Sequence, residues 1–208
     1  MRKAYIIDAK RTPVGKARGL LSKTRADDLL VHAIQSVLKA SDPSEKINNS
    51  IDDIIVGCAM PEGPQGLNIA RIATLLAGLP DSTPAYTLNR FCSSGLQSVS
   101  NAADLIKSGS SDLVIAAGVE SMSSVPMTGF KPSMNPKILL DENISIAYGM
   151  GLTAEKVVQK YGISREAQDQ FAFESHQKAI KANNNGLFEN EIVPIETFDD
   201  SYSIKSNE

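Results

Sequence analysis

Short apolar runs alternate with longer stretches of helical spacing over the first 120 residues. This pattern predicts successive strand-helix units, joined by right-handed crossovers into a mainly parallel sheet with helices on both faces. Lys3 to Ala9 is the first candidate strand. A helix is predicted from Thr24, where TRAD sets a hydroxyl three residues before Asp27 in a variant of the capping box. Leu29, Leu30, Ala33, Ile34, Val37 and Leu38 then recur on one face of it, and the opposite face is polar. Ile51 to Cys58 reads as a second strand, and Asn68 to Ala77 as a short buried helix stopped by Gly78 and Pro80.

Pro84 to Leu88 leads into the segment NRFCSSGLQ. Beyond it Leu96, Val99, Ala103 and Ile106 mark the apolar stripe of a helix rich in Ser, Ala and Gly, which is expected to be buried. Leu113 to Val119 is almost continuously apolar, as a central parallel strand covered on both faces would be. From Ser121 to Gly151 the pattern breaks into Met, Pro, Ser, Gly and Asn, a long irregular connection of a kind that usually serves function. Two helices are predicted near Leu152 to Tyr161 and Ser164 to Ala182, then a stop at Gly186 and a short strand EIVPIE. The chain is therefore expected to be an α/β core over residues 1–120, with residues 121–208 belonging to a subdomain inserted above the sheet.

Composition narrows the class. With 208 residues, 42% of them hydrophobic and 22% charged, the chain can bury a substantial core. A net charge of -3 without a dense Lys/Arg run argues against nucleic acid as the main partner. No apolar run approaches the roughly 20 residues of a membrane span, and MRKAYIIDAKRTP reads as a strand entering a turn rather than a signal peptide, so a cytoplasmic location is expected. The two cysteines, Cys58 and Cys92, have no metal-ligand spacing around them, so neither a structural disulfide nor a metal site is expected.

Cys92 lies where the pattern turns from strand to helix. There, unpaired N–H groups and the helix dipole favour a thiolate. Ser93, Ser94 and Gly95 keep the turn small and leave backbone N–H groups near any acyl oxygen that gains negative charge. On the residues alone, a cysteine that fills a gap in the core remains an equal alternative.

The stretches NRFCSSGLQSVSNAADLIKSG and SDLVIAAGVESMSSVPM resemble the nucleophile segment of the thiolase family, nearer the degradative 3-ketoacyl-CoA thiolases than the acetoacetyl-CoA-forming type. Further similarity lies in DAKRTPVGKARG, MPEGPQGLNIARIATLLAGLP, GMGLTAEKVVQKYGISREAQDQFAFESHQKA and LFENEIVPIE, and so covers essentially the whole chain. The resemblance implies the N-terminal half of an enzyme with two similar α/β halves and a loop subdomain that covers the active site and holds CoA. It implies Cys92 as the nucleophile that attacks the 3-keto carbon, releases acetyl-CoA and passes the shortened acyl group to a second CoA. It also implies CoA and acyl-CoA as substrates, no separate cofactor, a role in fatty acid metabolism, and a homo-oligomer formed through the half that carries the nucleophile.

In that family the activating histidine of a GHP motif, an asparagine or histidine near an AF motif, and a second cysteine before a glycine run belong to the C-terminal half. Neither a GHP motif nor a cysteine before a glycine run occurs in these 208 residues, so the C-terminal half is expected to be missing and the chain to be acylated slowly without appreciable turnover. Met150 in GMGLTAE matches a family methionine that lines the acyl-CoA pocket. Gly149 stands where biosynthetic members carry histidine, which implies room for longer acyl chains. Ser121 and Ser123 are candidates to hydrogen-bond near the cysteine loop. His32 is expected to be solvated with Asp28 one turn earlier, and His176 and Cys58 to be structural. A ketoacyl-synthase-like condensing enzyme and a non-catalytic half-thiolase that serves assembly are the competing readings.

Overall fold

The computed structural model of the chain describes residues 2–42, 44, 46–197 and 200–203. Contacts divide the chain into two units. The first runs to Phe130 and resumes at Glu189, and the second is Lys131–Phe188. The division thus falls later than residue 120, and the chain rejoins the first unit at Glu189.

The first unit is built on a three-stranded parallel sheet of β1 (Asp53–Gly57), β2 (Ala85–Leu88) and β3 (Val114–Gly118), in the order β2-β1-β3. Helix α2 (Ile69–Leu76) connects β1 to β2, and α3 (Ser94–Ser108) connects β2 to β3. The Ile-Ile-Val run of β1 is buried on both faces, as the middle of a parallel sheet requires. Ile54, Val56 and Cys58 share a core with Leu30, Ile34 and Leu38 of α1 (Ala26–Ser41) and with Ile69 and Ala73 of α2. Ile55 and Gly57 face the other way, toward α3, so helices cover both faces. Each of the large side chains in this core contributes about 1.5–3 kcal/mol by leaving water.

Several expectations change. The central strand is β1, and β3 lies at an edge of the sheet with its residues half-buried. Lys3 to Ala9 forms no strand: Tyr5, Ile6 and Ile7 are 77%, 79% and 73% exposed. Among the described residues of this segment only Arg11 pairs, bridging to Ile192 through Arg11 N–H to Glu191 O (2.8 Å) and Val193 N–H to Arg11 O (2.9 Å). The predicted EIVPIE strand is accordingly reduced to that bridge and to Glu196–Thr197, which pairs antiparallel with Asp200–Ser203. The Thr24 cap does not form; Arg25 flanks α1, and Asp27 instead receives the Arg25 guanidinium at 2.7 and 2.9 Å.

Helix α3 is reversed relative to its apolar stripe. Its buried residues are Ser94, Ser98 and Ala102, spaced by four, whereas Leu96 is 74% exposed. Small side chains are needed here because the helix lies almost backbone to backbone on the sheet. A Cβ on Gly57 would stand 2.5 Å from the Gly95 nitrogen. The Ser98 hydroxyl, in turn, reaches the Ala117 carbonyl oxygen on β3 at 2.8 Å.

The second unit contains α4 (Met150–Tyr161), ended by a left-handed Gly162, and α5 (Arg165–Asn184). The Ser164 side chain accepts the Ala167 N–H at the start of α5. No residue of either helix is buried.

Candidate active site

Strand β2 ends at Leu88 and α3 begins at Ser94, so residues 89–93 must reverse the chain in a single tight turn. The turn is hydrogen-bonded throughout. Asn89 Oδ1 accepts the Phe91 N–H (2.8 Å), and Ser94 Oγ accepts the Arg90 N–H (2.8 Å) while donating to Phe91 O (2.6 Å). Ser93 N–H and Ser94 N–H donate to Arg90 O and Phe91 O at 3.2 and 3.0 Å. These bonds hold Phe91 at φ 48°, a left-handed conformation that costs a side-chain-bearing residue about 1–2 kcal/mol.

Cys92 follows immediately. Its thiol is exposed, one residue outside the helix-flanking Ser93, and the first-turn N–H groups of α3 lie next in the chain. The arrangement presents a nucleophile beside the positive end of a helix dipole, while the Ser93 and Ser94 N–H groups are engaged within the turn. Gly57 permits this position by letting the start of α3 settle onto β1.

A second polar cluster adjoins the turn. Asn89 Nδ2 donates to Ala59 O (2.9 Å), and Ala59 N–H donates to Glu120 Oε2 (2.7 Å). Buried Gln65 donates to Glu120 Oε1 (2.6 Å) and Met60 O (2.8 Å), and its Oε1 accepts the Ser121 N–H. Cys58 lies beneath, 1% exposed, with its Sγ 3.6 Å from Gln65 Nε2 and 3.9 Å from Glu120 Oε1. Burial first, and the Glu120 charge second, push this thiol up to about 11. Cys58 is therefore protonated at neutral pH.

The serines expected near the cysteine loop bond elsewhere. Ser121 Oγ donates to Ser124 Oγ (3.0 Å), and Ser123 Oγ accepts the Arg18 N–H (2.8 Å). The residue of GVESMS that does reach toward the loop is Glu120, and its charge directly after the apolar run of β3 was the available signal. His32 is half-buried rather than solvated, its Nε2 2.8 Å from Pro194 O, which ties α1 to the returning chain. His176 is exposed on α5. Met150 opens α4 in the second unit and is 71% exposed. Among the described residues no cluster of three or more His, Cys, Asp or Glu side chains is placed to hold a metal ion, and no helix is long and apolar enough to cross a membrane.

The family profile described as "Thiolase, N-terminal domain" matches residues 4–207. The chain belongs to the thiolase family. This thiolase domain is 50% identical over 198 residues to a 3-ketoacyl-CoA thiolase of Bacillus subtilis, covering 94% of this chain and 49% of the relative. It is 44% identical over 199 residues to a 3-ketoacyl-CoA thiolase of an Enterobacter species, covering 93% and 49%. It is also 41% identical over 208 residues to a probable acetyl-CoA acyltransferase of Staphylococcus aureus, covering 94% and 51%. The chain spans about half the length of these curated relatives.

Proposed function

We propose that these residues supply the nucleophile of an acyl-CoA C-acyltransferase, which cleaves 3-ketoacyl-CoA with CoA or runs the reverse condensation through a thioester on Cys92. The observation that carries the reading is the exposed Cys92 thiol at a strand-to-helix turn, behind a left-handed Phe91. Attack by the Cys92 sulfur on the 3-keto carbon forms the S–C bond. Collapse of the adduct expels the acetyl-CoA carbanion, which takes up a proton, and thiolysis by a second CoA frees the cysteine. CoA species enter as substrates, and no separate cofactor takes part. Met150 lines the acyl-CoA pocket in this reading.

The 208 residues carry the nucleophile, whereas the family's GHP histidine lies outside them. A positioned acid/base contributes about 10² to 10⁴ in rate, so the chain by itself takes up an acyl group slowly and turns over negligibly. A thiolysis assay with acetoacetyl-CoA, run on this chain and on Cys92→Ser with mass spectrometry of the adduct, tests both parts. Robust multiple turnover, or an adduct on Cys58, overturns them.

The same reading includes self-association and a cytoplasmic enzyme of fatty acid breakdown. Exposed apolar residues on the nucleophile-bearing unit, Tyr5 to Ile7 and Leu67 among them, support self-association. A clean monomer in light scattering at high concentration counts against it.

A further inference from the structure

We propose that Glu120 and Asn89 are positioning residues that hold the Cys92 turn in its strained form, linked through the main chain of Ala59. The proposal rests on Cys92 being the nucleophile, as argued above.

Three residues lie just past the C-terminal ends of the three parallel strands: Ala59 after β1, Asn89 after β2 and Glu120 after β3. In open α/β sheets this edge is where ligands and reactive groups gather. The three are joined in series. Glu120 Oε2 accepts the Ala59 N–H at 2.7 Å, Ala59 O accepts Asn89 Nδ2 at 2.9 Å, and Asn89 Oδ1 accepts the Phe91 N–H at 2.8 Å. The series ends one residue before Cys92.

Its outer end is fixed independently. Gln65, 0% exposed, donates to the other Glu120 oxygen at 2.6 Å and to Met60 O, and accepts from Ser121 N–H. A carboxylate with both oxygens engaged is a stiff anchor, because bonds to charged groups are shorter and stronger than neutral ones. The inner end is where stiffness is needed. Phe91 at φ 48° relaxes toward negative φ once its N–H acceptor is lost, and that rotation carries Cys92 away from the start of α3. Asn89 is suited to the junction because one carboxamide both donates to Ala59 and accepts from Phe91.

The test is the rate of Cys92 alkylation by iodoacetamide across pH 6 to 10, followed by peptide mapping, on the 208-residue chain and on Glu120→Gln, Asn89→Ala and the double variant. Both single variants are expected to slow alkylation at pH 7 by at least about fivefold, the worth of roughly one hydrogen bond. They do so by moving the profile to higher pH while the thermal midpoint of Asn89→Ala stays near that of the parent. The double variant is expected to be no slower than the slower single, since both cut one series. Asn89 is exposed, so its variant reports even where Glu120→Gln fails to fold. An unshifted profile in Asn89→Ala, or fully additive losses in the double variant, overturns the proposal. The assay uses no acyl-CoA. A shifted profile in a chain that acetoacetyl-CoA cannot acylate rejects the transferase reading and keeps the positioning, and acylation with unshifted profiles does the reverse.

Discussion

Gly57 and Ser94 meet backbone to backbone: a Cβ on Gly57 would lie 2.5 Å from the Gly95 nitrogen and closer still to the Ser94 carbonyl carbon. Neither neighbour can yield, because both are main chain at the start of α3. Gly57→Ala is therefore expected to lift the N-terminus of α3 from the sheet and to cost about 1–3 kcal/mol. Urea melts measure the loss, and alkylation of Cys92 slows in parallel. A variant of parental stability would show that the helix rides higher on β1 than these distances state.

Phe91 gives an inverted glycine-alanine test. In most loops alanine is the more stabilising of the two, because glycine gains freedom in the unfolded chain. At φ 48° the order reverses, and Phe91→Gly should exceed Phe91→Ala in stability by about 1 kcal/mol. Thermal melts of the pair decide it; equal midpoints would mean the left-handed conformation is absent in solution.

The buried thiol sets a high-pH limit. Cys58 titrates near 11 in the folded chain against 9.0 for an ordinary thiol, chiefly through burial and then through Glu120. The folded state thus holds its proton longer than the unfolded state. The associated stability is complete below pH 9 and is lost as pH rises toward 11, a change of about 2–3 kcal/mol. Comparing urea melts of the parent and Cys58→Ala from pH 8 to 11 isolates it, since the variant lacks that slope while Lys and Tyr titrate in both.

At the N-terminal ends of β1 and β3, Asp52 Oδ2 accepts the N–H groups of Asp112 (2.6 Å) and Leu113 (3.0 Å). These bonds hold its carboxyl below the usual range. Their contribution is present above that range and is lost as pH falls through the depressed value. Asp52 is exposed, so Asp52→Asn should cost at most about 1 kcal/mol at pH 7. The gap from the parent should close in melts taken as pH falls below that depressed value. A gap that persists there would assign the loss to packing.

The helices of the core and the strand-helix turn at Cys92 were legible because they depend on local signals. Leu30, Ile34 and Leu38 repeat at helical spacing, and NRFCSSGLQ concentrates turn-sized residues. What escaped depends on partners distant in sequence. Tyr5, Ile6 and Ile7 have the composition of a strand, but a strand needs a neighbour, and among the described residues only Arg11 finds one. Helix α3 turns its apolar stripe away from the sheet because apolar size marks a core only where there is room for it. At Ser94, Ser98 and Ala102 the sheet is too close for anything large. The Glu120–Ala59–Asn89 series joins positions 61 and 30 residues apart, and no local pattern announces such a contact.

The unequal exposure of the two cysteines also bears on how the protein ages. Peroxide or air meets the Cys92 sulfur first and carries it through sulfenic to sulfinic acid, a step most proteins cannot reverse, while Cys58 stays sealed in the core. Because Cys92 contributes nothing to that core, the damage leaves circular dichroism and melting behaviour intact. A stored sample can thus be fully folded and chemically spent. Titration of its accessible thiol tells the two apart.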